Sequence, residues 1–169
     1  MSSGARRRVA LLRRVKNLSW FVRVWYVPVW ILLGMSRLAI LTLDFRRIAA
    51  FLGSEAGDSP PDTHLNSDQE RQALEIGRVI ASAALRTPWT SNCFTQAVTA
   101  RIVLGLHRLP CVVFFGIARQ TEKGQRLAHA WVRTGDVFVT GGSRMSGYAV
   151  LVAFGPFSER TSRSKQAGS

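Results

Sequence analysis

Cys93 and His129 are the two residues of this chain whose types and context could do covalent chemistry together. Cys93 follows Asn92 at the predicted start of a helix, where a thiolate is favoured by the helix dipole and by unpaired backbone N–H groups. His129 lies 36 residues further on, between Ala128 and Ala130 in a predicted strand. An imidazole beside the thiol can accept its proton and hold the ion pair, which makes a nucleophile usable at neutral pH. The backbone N–H of Cys93, in the first turn, is free to meet a developing oxyanion. Both residues also have plainer readings. A cysteine next to Phe94 is commonly a small buried hydrophobe, and a histidine in an apolar strand is commonly a satisfied core residue.

The remaining candidates carry less chemistry. Cys111 sits inside an apolar strand and reads as core. His64 and His107 read as surface residues, the first in a Pro-rich stretch and the second after a helix-closing Gly105. The segment Thr140-Gly141-Gly142-Ser143 lacks the Lys of a phosphate loop and reads as a turn. Two cysteines 18 residues apart and three histidines give neither a zinc-finger spacing nor a disulfide framework, so the sequence predicts no metal, no cofactor and a reducing, intracellular setting. Trp131 alternates with His129 and shares its face, and Trp89 precedes the Cys93 helix; each suits a site wall or the core equally well.

These residues need elements to hold them. Ser67 and Glu70 form an S-x-x-E signature that opens a helix running to about Ala84, with Leu74, Ile76, Val79, Ile80 and Ala83 on its apolar face. A second helix is predicted over residues 92–106, closed by Gly105. Beyond it the period changes, and residues 111–118, 127–133, 137–140 and 148–154 read as consecutive antiparallel strands. Helices followed by a meander make an α+β fold.

Residues 1–53 hold ten basic residues and one acidic residue, out of a formal net charge of +13 for the 169-residue chain. They read as two basic amphipathic helices, 5–26 and 28–52, with Pro28 opening the second and Gly53 ending it. Arg23 and Arg37 leave an uncharged run of 13 residues, short of the ~18–20 needed to cross a bilayer, and no small-residue cleavage site follows. Residues 54–66 read as a linker, 67–157 as the catalytic domain and 158–169 as a disordered tail. The charge alone also fits a non-catalytic basic module for nucleic acid or acidic lipid. No nucleic-acid-binding motif accompanies it, so no nucleic-acid partner is predicted.

Asn92-Cys93-Phe94-Thr95-Gln96-Ala97 opening a helix, Leu106-His107-Arg108-Leu109-Pro110 before a buried strand, and Ala128-His129-Ala130-Trp131-Val132 on the next strand resemble the transglutaminase-like leader peptidase of lasso-peptide biosynthesis. The upstream residues 28–34, 44–47 and 51–53 are similar to the helical segment that precedes the catalytic part of that family. The likeness covers roughly residues 28–154. It implies a transglutaminase-like or papain-like core and a cysteine protease that cuts the leader from a ribosomally made precursor peptide. Cys93 would be the nucleophile and His129 the general base and acid. The implied partners are a separate leader-recognition protein and an ATP-dependent, synthetase-like lasso cyclase. The implied location is cytoplasmic, with peripheral contact at the inner membrane face as one use of the basic helices. Acyl transfer to an amine, as in transglutaminases and arylamine acetyltransferases, uses the same Cys–His chemistry.

The chain departs from the family at the third catalytic position. An acidic residue is expected about a dozen positions after the histidine, where Thr140-Gly141-Gly142 stands instead. If Thr134-Gly135 forms a two-residue turn, Thr140 lies opposite His129, or Gly142 after a one-residue shift. Asp136 then sits about 13 Å along the strand from His129, at ~3.3 Å per residue. That leaves Thr140, a backbone carbonyl, a water or a carboxylate from elsewhere to orient the imidazole.

Overall fold

The computed structural model describes residues 20–56, 64–118, 128–142 and 147–155. Its order is α1 (Trp20–Thr42), α2 (Phe45–Leu52), β1 (Ser54–Ala56), α3 (Ser67–Ala84), α4 (Cys93–Leu106), β2 (Val112–Ala118), β3 (Ala128–Thr134), β4 (Val137–Thr140) and β5 (Tyr148–Gly155). The five strands form one antiparallel sheet in the order β1-β5-β2-β3-β4. The α+β fold expected from the change of hydrophobic period is therefore present.

The helices gather on one face of the sheet. α4 packs on β3, α3 on β4, and α1 lies across α3 and α4. Their shared core contains Leu33, Leu52, Ile76, Ile80, Leu104, Val113 and Val132, all fully buried, each aliphatic side chain contributing about 1.5–3 kcal/mol by leaving water. α3 comes unusually close to β4 at Gly77, where a Cβ would stand 2.5 Å from the Val139 carbonyl oxygen. The opposite sheet face carries a smaller cluster of Val112, Phe114, Trp131 and Ala153, with Tyr148 against it.

Five local expectations are corrected. Pro28 does not divide the N-terminal helices: it lies inside α1, on an exposed stretch with Val24 and Val27, where water can take the carbonyl that its missing N–H leaves unpaired. The break falls instead at Leu43 and Asp44. α1 is also longer than the charge spacing implied, and its 23 residues are long and apolar enough to cross a membrane by length and composition. One face of it belongs to the core, however, with Val29 and Leu33 fully buried and Ser36 accepting a buried hydrogen bond from Thr99 at 3.0 Å.

Residues 54–56, read as linker by composition, are strand β1 and pair with β5. The cap of α3 is Asn66, not Ser67: its side chain accepts from Gln69 N at 2.8 Å while the Gln69 side chain accepts from Asn66 N at 3.0 Å, one residue earlier than the S-x-x-E pattern. Gly105 does not close α4, which runs on to a cap at His107, with Arg108 taking the positive φ of 56° instead. The first helix expected over residues 5–26 lies mostly outside the described residues, as does the tail.

Candidate active site

α4 starts at Cys93 because Asn92 caps it. The Asn92 side-chain oxygen accepts from Thr95 N and from Thr95 Oγ1, both at 3.0 Å. The first intrahelical bond runs from Gln96 N to the Asn92 carbonyl at 3.0 Å, which leaves the N–H groups of Cys93 and Phe94 without a carbonyl in their own helix. Gln96 Nε2 donates to the Ser91 carbonyl at 2.8 Å and ties the turn before the helix to its first turn. Cys93 is half-buried and Cys111 buried, and both are free thiols.

His129 is placed by the sheet. It pairs with Gly116 across β2, and its ring lies 4.9 Å from Tyr148 of β5 and 5.9 Å from Trp131, centroid to centroid. Its Nε2 stands 3.0 Å from the Gly141 carbonyl oxygen. A carbonyl can only accept, so Nε2 carries the hydrogen of the neutral ring and Nδ1 is the free base. Tyr148 is a part of this site that the sequence did not single out, since Tyr148 begins a strand far from either catalytic motif.

Cys93 and His129 open onto one cavity of about 640 Å³. Asn92, Gln96, Gly141 and Tyr148 also line it, as do Gly77 and Ala81 of α3. The thiol and the imidazole share this space without a hydrogen bond between them among the described residues, a spacing common in unliganded cysteine enzymes, where catalytic bonds tighten on substrate binding.

The question of what orients His129 is answered by the hairpin. Thr134 pairs with Val137, so the two turn residues are Gly135 and Asp136, and a register shift then sets Val132 opposite Thr140. Thr140 does not stand opposite His129, and its Oγ1 is buried with no hydrogen-bond partner among the described residues. Asp136 is exposed at the turn, away from the cavity. The bulge carries the chain past β4, and Gly141, with φ of 73°, turns its carbonyl to the imidazole. A Cβ there would lie 2.6 Å from the Ala130 oxygen and 2.8 Å from the Trp131 Cβ. The backbone of Gly141 thus occupies the place at which the family's acid was expected.

The other candidates are structural. Cys111 is held in the core with its thiol pushed up by burial, partly offset by the nearby Arg101 guanidinium, whose Nε also donates to the Leu52 carbonyl at 2.9 Å. Trp131 is buried and stacks on Phe114 at 5.6 Å, so it fills the second cluster and backs the histidine. Trp89 packs against Trp30 at 4.8 Å. His64 is exposed. His107 is not the surface residue the sequence implied: its Nδ1 meets Gln72 Nε2 at 2.8 Å, and its ring sits 5.4 Å from Phe21 and 4.8 Å from Trp25. Desolvation there holds its pKa below the usual histidine value.

Among known proteins, residues 39–153 match the family model described as "Transglutaminase-like superfamily". No curated protein and no solved structure gives a significant match. The superfamily includes cysteine proteases and acyl transferases, both built on the thiol and imidazole chemistry that the cavity brings together. The matched segment covers most of the sequence and contains both Cys93 and His129, and by it the chain belongs to the transglutaminase-like superfamily.

Proposed function

We propose that the protein is a cysteine peptidase that removes the leader from a ribosomally made lasso-peptide precursor. The observation that carries this reading is the shared cavity of Cys93 and His129, with Nδ1 of the histidine left as the free base. In the reaction, Nδ1 takes the thiol proton and the sulfur attacks the carbonyl joining leader to core. The free N–H groups at the start of α4 stabilise the oxyanion. The imidazolium then gives its proton to the departing core amine. Water, deprotonated by the same Nδ1, hydrolyses the thioester and releases the leader with a free carboxylate.

The core peptide, with its new amine, is then a substrate for an ATP-dependent lasso cyclase. A separate leader-recognition protein presents the leader, and the reaction takes place in the cytoplasm, where Cys93 stays reduced. Mass spectrometry of a leader-bearing precursor incubated with the protein, with and without the recognition protein, tests the assignment. A leader fragment ending in a carboxylate, absent with Cys93→Ala and accelerated by the recognition protein, is expected. An amine adduct on the leader would instead make the enzyme an acyl transferase, and processing undiminished by Cys93→Ala would rule out both.

A further inference from the structure

The face of α1 opposite the core carries a row of large apolar side chains that no described residue covers. Trp20, Val24, Val27, Ile31, Met35, Leu38 and Leu41 are between 48% and 79% exposed. They recur every three or four residues, so they form a single straight stripe about 30 Å long at ~1.5 Å per residue. Leu43, just after α1, and Phe45 and Phe51 of α2 are also exposed. Scattered exposed apolar residues are ordinary, but a continuous row of this length is not.

Within α1 the charged residues are Arg23 and Arg37, both basic, and Asp44 is the acid beside Leu43 and Phe45. Residues 1–43 contain eight basic side chains and no acidic one. Arg23 and Arg37, four helical turns apart, fall on one flank of the stripe by helical spacing, and Arg46 and Arg47 of α2 are exposed beyond its end. A second copy of the chain on this face would set these cations against their equals, which disfavours a homodimer. A transmembrane placement would pull Val29, Leu33 and Ser36, on the other side of the helix, out of their contacts with the domain.

A straight apolar row bordered by cations, on a helix fixed lengthwise to a folded domain, matches a planar anionic surface with an apolar interior. We propose that α1 lies in the plane of an anionic phospholipid bilayer, the stripe sunk among the acyl chains and the flanking arginines on the headgroup phosphates. The helix would hold the domain at the membrane by the face opposite the core. This inference is independent of the reaction catalysed.

Co-sedimentation of the full chain with vesicles of phosphatidylcholine, alone or mixed with phosphatidylglycerol, tests it. The chain is expected to bind the mixed vesicles and to bind phosphatidylcholine alone far less. The triple variant Val27→Glu, Ile31→Glu, Leu38→Glu should lose at least about tenfold in vesicle affinity while keeping its helical circular dichroism, since all three side chains are solvent-facing. Arg23→Gln with Arg37→Gln, which leaves the stripe whole, should reduce the preference for anionic vesicles. Absence of binding to phosphatidylglycerol vesicles would overturn the proposal. So would unchanged binding of the triple variant, or a dimer in solution that the triple variant splits.

Discussion

At the scale of single residues, the site depends on a backbone atom where a carboxylate was expected. The Gly141 carbonyl fixes the tautomer and direction of His129, but a neutral dipole stabilises the imidazolium less than an acid does. Gly141→Ala is therefore expected to do two things. Its Cβ, set against the Ala130 oxygen and the Trp131 Cβ on a positive φ, costs about 1–3 kcal/mol of stability. By displacing the carbonyl it also lowers kcat at least about tenfold, with KM changed less; thermal melting and steady-state peptide cleavage read the two effects. Gly141→Asp should not restore activity, because the carboxylate would arrive on the same blocked Cβ. Tyr148 is expected to act through its ring, so Tyr148→Phe keeps most of the rate and Tyr148→Ala loses it, together with a changed pH profile of kcat.

At the scale of elements, the interactions that place Cys93 and His129 are caps, a bulge and one close approach. Asn92→Ala removes the acceptor of two hydrogen bonds at the start of α4 and is expected to cost about 1 kcal/mol, with a larger fall in activity than that loss explains, because Cys93 is the first residue of the helix. Gly77→Ala forces α3 away from β4; a loss of about 1–3 kcal/mol in denaturant unfolding checks it.

Much of this layer was legible in the sequence, because periodicity marks α3, α4 and the strands, and Asn92 announces the helix that bears Cys93. The misplaced features share a physical reason. Pro28 is tolerated because it faces water, β1 is a strand only because β5 offers it an edge, and Asn66 outcompetes Ser67 because Gln69 can answer it. None of these depends on local sequence alone. The orienting group of His129 was hidden for the same reason, since a two-residue turn one position later and a bulge set the register, and a carbonyl has no side chain to read.

Across the whole molecule, α1, α3 and the end of α4 are tied to one another through His107 as well as through the core. Its pKa lies below the ordinary histidine value because of burial beside α1, so the unfolded chain binds its proton first as the pH falls. Its contribution is fully present above the unfolded value near 6.5 and declines as the pH falls through the lower folded value. Melting temperatures across mildly acidic pH should therefore drop for the wild type and less for His107→Phe, which keeps an aromatic ring against Phe21 and Trp25; parallel curves would remove His107 as the cause.

The proposed coupling of Cys93 and His129 into one nucleophilic unit, with no acidic third residue among the described residues, can be measured without any substrate. The second-order rate of iodoacetamide alkylation, followed by mass spectrometry at neutral pH, reports the nucleophilicity of each thiol in the folded chain. Modification is expected at Cys93 and not at buried Cys111, with a rate at least about tenfold lower in His129→Ala. Equal rates in the wild type and His129→Ala would show that the imidazole does not activate the thiol.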